Sequence, residues 1–117
     1  MEITQRTDKE HIDVLNIAIS GDLDASSAIQ VDQVIRAALD RDQCRLLLDF
    51  NELDYISSAG LGVFVSYIDE LKEKNGCFAP FGMKAEVYDV FKLLGLDKIL
   101  QIFTTEKEAK QYVHEKN

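Results

Sequence analysis

Apolar and polar residues alternate in the first part of the chain with a period close to two, which is typical of a half-buried β-strand. The alternation predicts strands over residues 1–7 and 11–20. The apolar positions of the second strand are Ile12, Val14, Ile17 and Ile19. The segment GDLD then interrupts the pattern, so we expect the second strand to end there.

A spacing of three and four residues replaces the alternation after GDLD and predicts an α-helix from Ala25 to about Asp40. Either Asp24 or Ser26 can be its N-cap, because a short oxygen-bearing side chain accepts a hydrogen bond from the free N–H groups of a first helical turn. The apolar positions of this helix are Ala28, Val31, Ile35, Ala38 and Leu39.

The middle of the chain contains an unbroken apolar run, CRLLLDF at residues 44–50, as expected of a strand that is covered on both faces. After a short turn, a second helix is predicted to begin at Ser57 or Ser58. The segment EKNG ends this helix, with Gly76 as the left-handed C′ residue. Its apolar positions are Leu61, Val65, Ile68 and Leu71.

The last third of the chain continues to alternate strands with helices. Residues 77–83 predict a strand that is short or irregular around Pro80, because proline has no N–H to donate. A helix then runs to Gly95, residues 99–105 predict a final strand, and Thr105 with Glu108 forms a capping box that opens a final helix. The apolar positions are Val87, Phe91 and Leu94 in the first of these helices, and Ala109, Tyr112 and Val113 in the second.

The resulting order, β-β-α-β-α-β-α-β-α, is typical of an α/β protein. Strands that are separated by helices pair in parallel through crossover connections, and the first strand is expected to lie antiparallel at an edge. We therefore predict a mostly parallel sheet of four to five strands with about four helices, in a single domain over residues 1–117.

The composition argues against several classes of function. Apolar residues make up 46% and charged residues 29%, an ordinary balance for a soluble globular protein. A net charge of −8 without a basic stripe argues against a nucleic-acid partner. There is no signal-peptide pattern and no apolar run long enough for membrane insertion. Cys44 and Cys77 are expected to be reduced core thiols, which indicates a cytoplasmic protein.

The sequence lacks the usual catalytic and metal-binding motifs. His11 and His114 lie near the two termini without a Cys or carboxylate at metal-ligand spacing, so we expect solvated histidines and no metal site. There is no P-loop, the dinucleotide fingerprint fails at Val65, and the nucleophile elbow fails at Ile56. We therefore expect no cofactor and no enzymatic activity.

The junction YISSAGLGVF, residues 55–64, places two serines and two glycines at the start of the second helix. A serine cap stabilises a helix by about 1 kcal/mol relative to alanine. Gly60 and Gly62 each cost about 1 kcal/mol inside a helix, which indicates close approach of another backbone or of a ligand. A helix N-terminus is also a natural seat for a phosphate. Local chemistry leaves open both capping with packing and a phosphate-related or docking role.

This junction resembles the signature of STAS domains, in particular of bacterial anti-sigma factor antagonists. The resemblance covers essentially the whole chain. It includes GDLDASSA after the second strand, LLLDFNELDYISSAGLGVF in the middle, and the F-x-x-x-G-L pattern at Phe91, Gly95 and Leu96. It implies the STAS fold, whose sheet consists mainly of parallel strands connected by helices.

The resemblance also implies a phosphorylation site. The regulatory serine of the family falls on Ser58, with Ser57 as the alternative acceptor, since Ser57 occupies the position where the best-known members carry Asp. Asp22 and Asp24 match acidic positions that lie near the serine. The expected partner-binding residues are Asp22, Asp24, Asp54, Ser57, Ala59, Gly60, Leu61 and Gly62.

Two functions are compatible with this resemblance. An anti-sigma factor antagonist would bind an anti-sigma factor that is also a serine kinase of the histidine-kinase-like ATPase superfamily, and a PP2C-type phosphatase would reverse the phosphorylation. Gly60 and Gly62 would let the kinase approach the hydroxyl. Alternatively, the protein would be a docking subunit of a transport system, such as a lipid-trafficking ABC transporter, without a phosphorylation cycle. Either function is compatible with a monomer, whereas a small-molecule-binding role lacks a ligand-specific residue set.

Overall fold

The computed structural model describes residues 1–115. The elements in chain order are β1 Glu2–Thr7, β2 Val14–Leu23, α1 Ala25–Asp40, β3 Arg45–Asp49, β4 Leu53–Ile56, α2 Ser58–Glu73, β5 Cys77–Phe81, α3 Ala85–Leu93, a short 3₁₀ helix Leu96–Lys98, and α4 Glu106–Glu115. The predicted fold class is confirmed, with five strands and four α-helices in the described residues. Among these helices, none combines the length and the apolar character needed to cross a membrane.

β2 is the central strand of the sheet and pairs with three others. Its first half, from Val14, pairs in parallel with β3, and its last residues, from Gly21 to Leu23, pair in parallel with β4. β1 runs antiparallel to β2 along the edge, as predicted, with Glu2 opposite Ser20. The order across the sheet is β1-β2-β3-β5, and β4 lies beside the C-terminal end of β2.

The apolar side chains of β3 enter two different cores. Leu46 and Leu48 belong to the larger core, together with Phe64 of α2, whereas Leu47 belongs to a smaller core with Val113 of α4. Both faces of the strand are therefore covered, which explains why the run is unbroken and confirms that prediction.

The inner face of α2 differs from the prediction. Val65 is 44% exposed, while Phe64 and Tyr67 are buried. The buried positions of α2 are Gly60, Leu61, Phe64, Tyr67 and Leu71. The prediction for Val65 was wrong because this face is rotated by one residue, so that the aromatic side chains enter the core. Leu94 is also 51% exposed, because α3 ends at the preceding residue.

Asn75, rather than Gly76, is the left-handed residue that ends α2. Asn75 has φ 58°, and its N–H donates to the carbonyl of Lys72 while that of Gly76 donates to the carbonyl of Leu71. These two bonds form a Schellman motif, in which Asn75 is the C′ residue and Gly76 is the C″ residue rather than the predicted C′ residue. Gly76 is needed for space, since a Cβ there would lie 2.2 Å from the carbonyl oxygen of Cys44.

The strand predicted over residues 99–105 does not form. The segment makes a single parallel bridge to β5, between Phe103 and Phe81. The N–H of Phe103 donates to the carbonyl of Pro80, and the N–H of Gly82 donates to the carbonyl of Phe103. The outer edge of β5 therefore has no donor at Pro80, which explains why a longer ladder does not form. The capping box of Thr105 and Glu108 is present as predicted.

β4 lies where the sequence predicted only a turn between β3 and α2. Of its four residues, Leu53 and Ile56 are buried whereas Asp54 and Tyr55 are exposed. This pattern does not alternate with a period of two, so it carries no strand signal. The strand forms because the end of β2 offers it a parallel partner.

The prediction of two solvated histidines was wrong. The rings of His11 and His114 lie 4.4 Å apart between centroids, and both residues are partly buried. The sequence could not indicate this pairing, because it depends on α4 packing beside the start of β2. Cys44 is a buried free thiol, and its burial raises the pKa of that thiol.

Candidate functional site

Two parallel strands lead directly into two helices at one edge of the sheet. Leu23 of β2 lies opposite Ile56 of β4, and the N–H of Ser57 donates to the carbonyl of Leu23 over 2.9 Å. The N-caps Asp24 of α1 and Ser57 of α2 follow these paired residues, so both helices begin at the same edge. The positive ends of two helix dipoles therefore lie at this edge.

The two serines of the junction have different environments. The Oγ of Ser57 accepts a hydrogen bond from the N–H of Gly60 over 3.1 Å, and Ser57 is partly buried. Ser58 is the first residue of α2 and is exposed. Ser57 therefore caps the helix, whereas the hydroxyl of Ser58 faces solvent at the helix N-terminus.

The two glycines of α2 also differ. A Cβ on Gly60 would lie 2.8 Å from Cγ of Leu23 and 3.1 Å from its carbonyl oxygen, so glycine allows α2 to pack closely against β2. A Cβ on Gly62 would have no atom within 4 Å, and Gly62 is exposed. Gly60 therefore serves packing within the chain, whereas Gly62 leaves the outer surface open.

Leu61 and Gly60 lie beneath the expected partner-binding surface rather than on it. Leu61 is 1% exposed, and Gly60 is also buried. One face of the first turn of α2 packs against the core. Gly60 and Leu61 lie on that face, whereas Ser58, Ala59 and Gly62 are exposed. The expectation that Gly60 and Leu61 contact a partner is corrected accordingly.

Asp24 uses its carboxylate to cap α1. Oδ1 accepts hydrogen bonds from the hydroxyl of Ser26 over 2.7 Å and from the N–H of Ser27 over 3.1 Å. In return, the N–H of Asp24 donates to Oγ of Ser27 over 3.0 Å, which completes a capping box. The hydrogen bonds that the Asp24 carboxylate accepts lower its pKa, and the bond from the Ser26 hydroxyl has the largest effect. Of the two predicted caps, Asp24 is the correct one.

Asp22 and Asp54 are exposed acids on neighbouring strands. Asp22 lies opposite Tyr55 in the β2–β4 pairing, next to a shift of register after Gly21. Asp54 forms an ion pair with Lys84, the residue before α3, and the hydrogen bond of this pair raises the pKa of Lys84. The charge of Asp54 is therefore partly balanced, while that of Asp22 faces solvent.

Tyr55 and Lys84 belong to this site but were not among the predicted residues. Tyr55 is 51% exposed although it lies in a strand. The sequence could not predict this exposure, because its pattern did not indicate that β4 forms. Lys84 is 30 residues away from Asp54 in the chain, and only the packing of α3 beside β4 brings the two together.

The comparisons with known proteins place the chain in a family. The model of the STAS domain matches residues 5–109, so the chain belongs to the STAS domain family. A relative named anti-sigma-B factor antagonist, from Listeria monocytogenes, is 31% identical over 108 residues, which cover 92% of this chain and 91% of the relative.

Solved structures share the fold. SpoIIAA, an anti-sigma factor antagonist of Bacillus, superposes in its unphosphorylated form with a TM-score of 0.82 at 22% identity, over 97% of this chain and 96% of that chain. A sulfate transporter family protein of Wolinella succinogenes superposes with a TM-score of 0.76 at 14% identity, over 89% and 87% of the two chains. The fold therefore occurs in an anti-sigma factor antagonist and in a member of a sulfate transporter family.

Proposed function

We propose that this protein is an anti-sigma factor antagonist, a binding module that is switched by phosphorylation of Ser58. In its unphosphorylated form it binds an anti-sigma factor and so frees a sigma factor. The observation that carries the proposal is the exposed Ser58 hydroxyl at the first position of α2, beside a Ser57 hydroxyl that is engaged in capping. A kinase can reach the first of these hydroxyls without disturbing the helix.

Similarity to named relatives supports this function over the transport alternative. The Listeria relative, at 31% identity, is named for antagonism of an anti-sigma factor. The transporter-family structure shares only 14% identity, so it supports the fold alone. SpoIIAA has been solved in a phosphorylated form as well, which supports a phosphorylation cycle for this fold.

The proposed partner surface consists of the exposed residues around Ser58. They are Asp22, Tyr55, Ala59 and Gly62, with the caps Asp24 and Ser57 and the Asp54–Lys84 ion pair at the margins. Tyr55 offers apolar contact area, and Gly62 lets a partner approach the helix backbone. Aromatic side chains of this kind often supply most of the binding energy of an interface.

Phosphorylation disrupts binding at the interface rather than in the fold. A phosphate on Ser58 lies at a helix N-terminus, whose free N–H groups and dipole favour an anion, so the helix persists. The added charge of about −1.5 to −2 would be buried against the partner, near Asp22. A hundredfold loss of affinity requires only about 2.7 kcal/mol, which one misplaced charge in an interface can supply.

The proposed partners follow from this cycle. The anti-sigma factor is itself the serine kinase, of the histidine-kinase-like ATPase superfamily, and a PP2C-type phosphatase restores the active form. The protein is then a substrate and binding module rather than an enzyme. Because sigma factors act on transcription, we place the exchange in the bacterial cytoplasm.

The acceptor can be mapped directly. The Ser58→Ala variant, which cannot be released by phosphorylation, serves as bait to recover the kinase. The wild type, Ser57→Ala and Ser58→Ala are then incubated with that kinase and ATP, and the products are analysed by mass spectrometry. We expect phosphate on Ser58 in the wild type and in Ser57→Ala, and none in Ser58→Ala.

Phosphate on Ser57 in the wild type would contradict the assignment of the acceptor. Recovery of permease and ATPase subunits by the same bait, without a kinase, would favour the transport alternative. The Ser57→Ala variant also loses its helix cap, at a cost of about 1 kcal/mol, so its folding is checked by circular dichroism before the assay.

A further inference from the structure

The two histidines of the chain meet in a second cluster of polar side chains. Glu10 and His11 lie in the connection between β1 and β2, and His114 lies in the last turn of α4. One ligand atom from each of Glu10, His11 and His114 lies within 4.8 Å of the others. These residues are outside the serine site, and the proposed switch does not use them.

Hydrogen bonds fix the connection that carries Glu10 and His11. Oδ2 of Asp8 accepts from the N–H of Glu10 over 3.0 Å and from the N–H of His11 over 3.1 Å. The N–H of Val14 donates to the carbonyl of His11 over 3.0 Å. The Asp8 side chain is 8% exposed, so it holds the connection from inside. Hydrogen bonds therefore hold the backbone of Glu10 and His11 in place without a bound ion.

The Arg45 side chain, which is 12% exposed, ties α4 to the same connection. Nε of Arg45 in β3 lies 2.6 Å from Oδ2 of Asp13, and a second nitrogen of Arg45 donates to the carbonyl of Val113. Val113 is fully buried in the smaller core, immediately before His114. Packing within the fold therefore sets the position of His114 against His11.

The ring of His114 has an unsatisfied polar atom. Nε2 is shielded from solvent and makes no hydrogen bond within the described residues, although it lies 3.4 Å from Oδ2 of Asp8. A histidine that binds a metal through one ring nitrogen commonly directs the other towards a carboxylate, and Asp8 occupies that place.

From this cluster we infer a binding site for a divalent transition metal ion, Zn²⁺ in the first place, with Glu10, His11 and His114 as ligands. Two imidazoles and one carboxylate are a ligand set that Zn²⁺ favours, at bond lengths of about 2.0–2.2 Å. Ligand atoms around a tetrahedral ion lie about 3.4 Å apart, so the exposed Glu10 side chain closes in as the ion enters.

An open path leads to the site. A surface cleft of about 610 Å³ is lined by Asp8, Glu10 and His114, together with basic residues that include Lys9 and Lys110. A water molecule or a small anion from this cleft would supply the fourth ligand. The bound ion clamps α4 to the β1–β2 connection, so it stabilises the folded state over the unfolded one.

Calorimetric titration of the full chain with ZnCl₂ tests the inference, with MgCl₂ as control ion because Mg²⁺ prefers oxygen ligands. The variants are Glu10→Gln, His11→Asn and His114→Asn, and Glu86→Gln in α3 is the matched carboxylate control. We expect one Zn²⁺ per wild-type chain, a raised Tm with zinc, and no Mg²⁺ binding. Each histidine variant should bind Zn²⁺ at least about tenfold more weakly than the wild type. Loss of a residue that only contacts a metal ligand already lowers metal affinity by about tenfold or more, so loss of a ligand should cost at least as much.

Absence of zinc binding to the wild type would overturn the inference, and so would histidine variants that bind zinc as tightly as Glu86→Gln does. A second readout needs no variant: in NMR spectra of the wild type, zinc should shift the imidazole signals of both histidines. Unshifted signals would equally overturn it. No kinase is present in these experiments, so their outcome is independent of the proposed switch.

Discussion

Gly60 of α2 lies so close to Leu23 of β2 that an added Cβ would come within 2.8 Å of the Leu23 Cγ. Leu23 is fully buried and belongs to the larger core. The first turn of α2 is therefore pressed against the end of the central strand. This contact therefore sets how closely the N-terminus of α2, which carries Ser58, packs against β2.

Replacing Gly60 by Ala should destabilise the fold, whereas the same change at Gly62 should not. The Gly60→Ala methyl group overpacks the contact with Leu23, and we expect the free energy of unfolding to fall by about 1–3 kcal/mol. The Gly62→Ala methyl group has open space around it. Its better helix propensity should raise the free energy of unfolding by up to about 1 kcal/mol. Urea denaturation measures both, and equal effects at the two positions would contradict the packing role of Gly60.

The cap at Asp24 should make stability depend on acid pH. Hydrogen bonds from Ser26 and Ser27 lower the pKa of Asp24 below its ordinary value of 3.8. The ionised carboxylate thus favours the folded state, and its contribution is complete above that value and lost as the pH falls through the lower folded-state pKa. Asn is also a good cap but does not titrate.

We therefore expect the stability advantage of the wild type over Asp24→Asn to shrink as the pH falls below about 4. Urea denaturation of both proteins from neutral to acid pH gives this difference directly. A difference that stays constant over the whole range would show that the Asp24 carboxylate does not contribute through its charge.

Tyr55 should contribute strongly to partner binding. Its side chain is 51% exposed beside the serine site, so the Tyr55→Ala change should leave the fold largely intact. Loss of an aromatic contact at the centre of an interface costs more than 1.4 kcal/mol in many complexes, so we expect affinity to drop at least about tenfold. Leu93→Ala is the control, since Leu93 is 82% exposed near the end of α3. An equal loss with both variants, measured by calorimetry, would argue against the proposed surface.

Variants at Ser58 should separate binding from release. Ser58→Ala keeps the surface uncharged, so it should bind the anti-sigma factor like the wild type and stay bound in the presence of ATP. Ser58→Asp places a permanent charge at the interface and should bind more weakly. Analytical gel filtration of the mixtures distinguishes the two. Release of the Ser58→Ala complex by ATP would point to another acceptor.

The sequence predicted the elements whose signals are local. The helical spacing of α1, its N-cap, which was predicted at Asp24 or Ser26 and is found at Asp24, and the Thr105–Glu108 capping box all depend on residues within a few positions of each other. The unbroken run of β3 was also predicted, because burial on both faces leaves a compositional signal.

Features that depend on distant parts of the chain could not be predicted. β4 is held by its pairing with β2, and the missing strand after α3 reflects the lack of a donor at Pro80 on the edge of β5. At the candidate site, the sequence indicated Ser58 through a family resemblance. The distinct environments of Ser57 and Ser58, and the approach of Lys84 to Asp54, depend on tertiary packing.

The affinity of the protein for its anti-sigma factor, measured before and after phosphorylation, tests the central claim most directly. The wild type is phosphorylated to completion, the modification is assigned to Ser58 by mass spectrometry, and both forms are titrated by calorimetry. We predict that the phosphorylated form binds about a hundredfold more weakly, equivalent to about 2.7 kcal/mol, while its circular dichroism spectrum is unchanged. Equal affinities of the two forms would contradict the proposed switch.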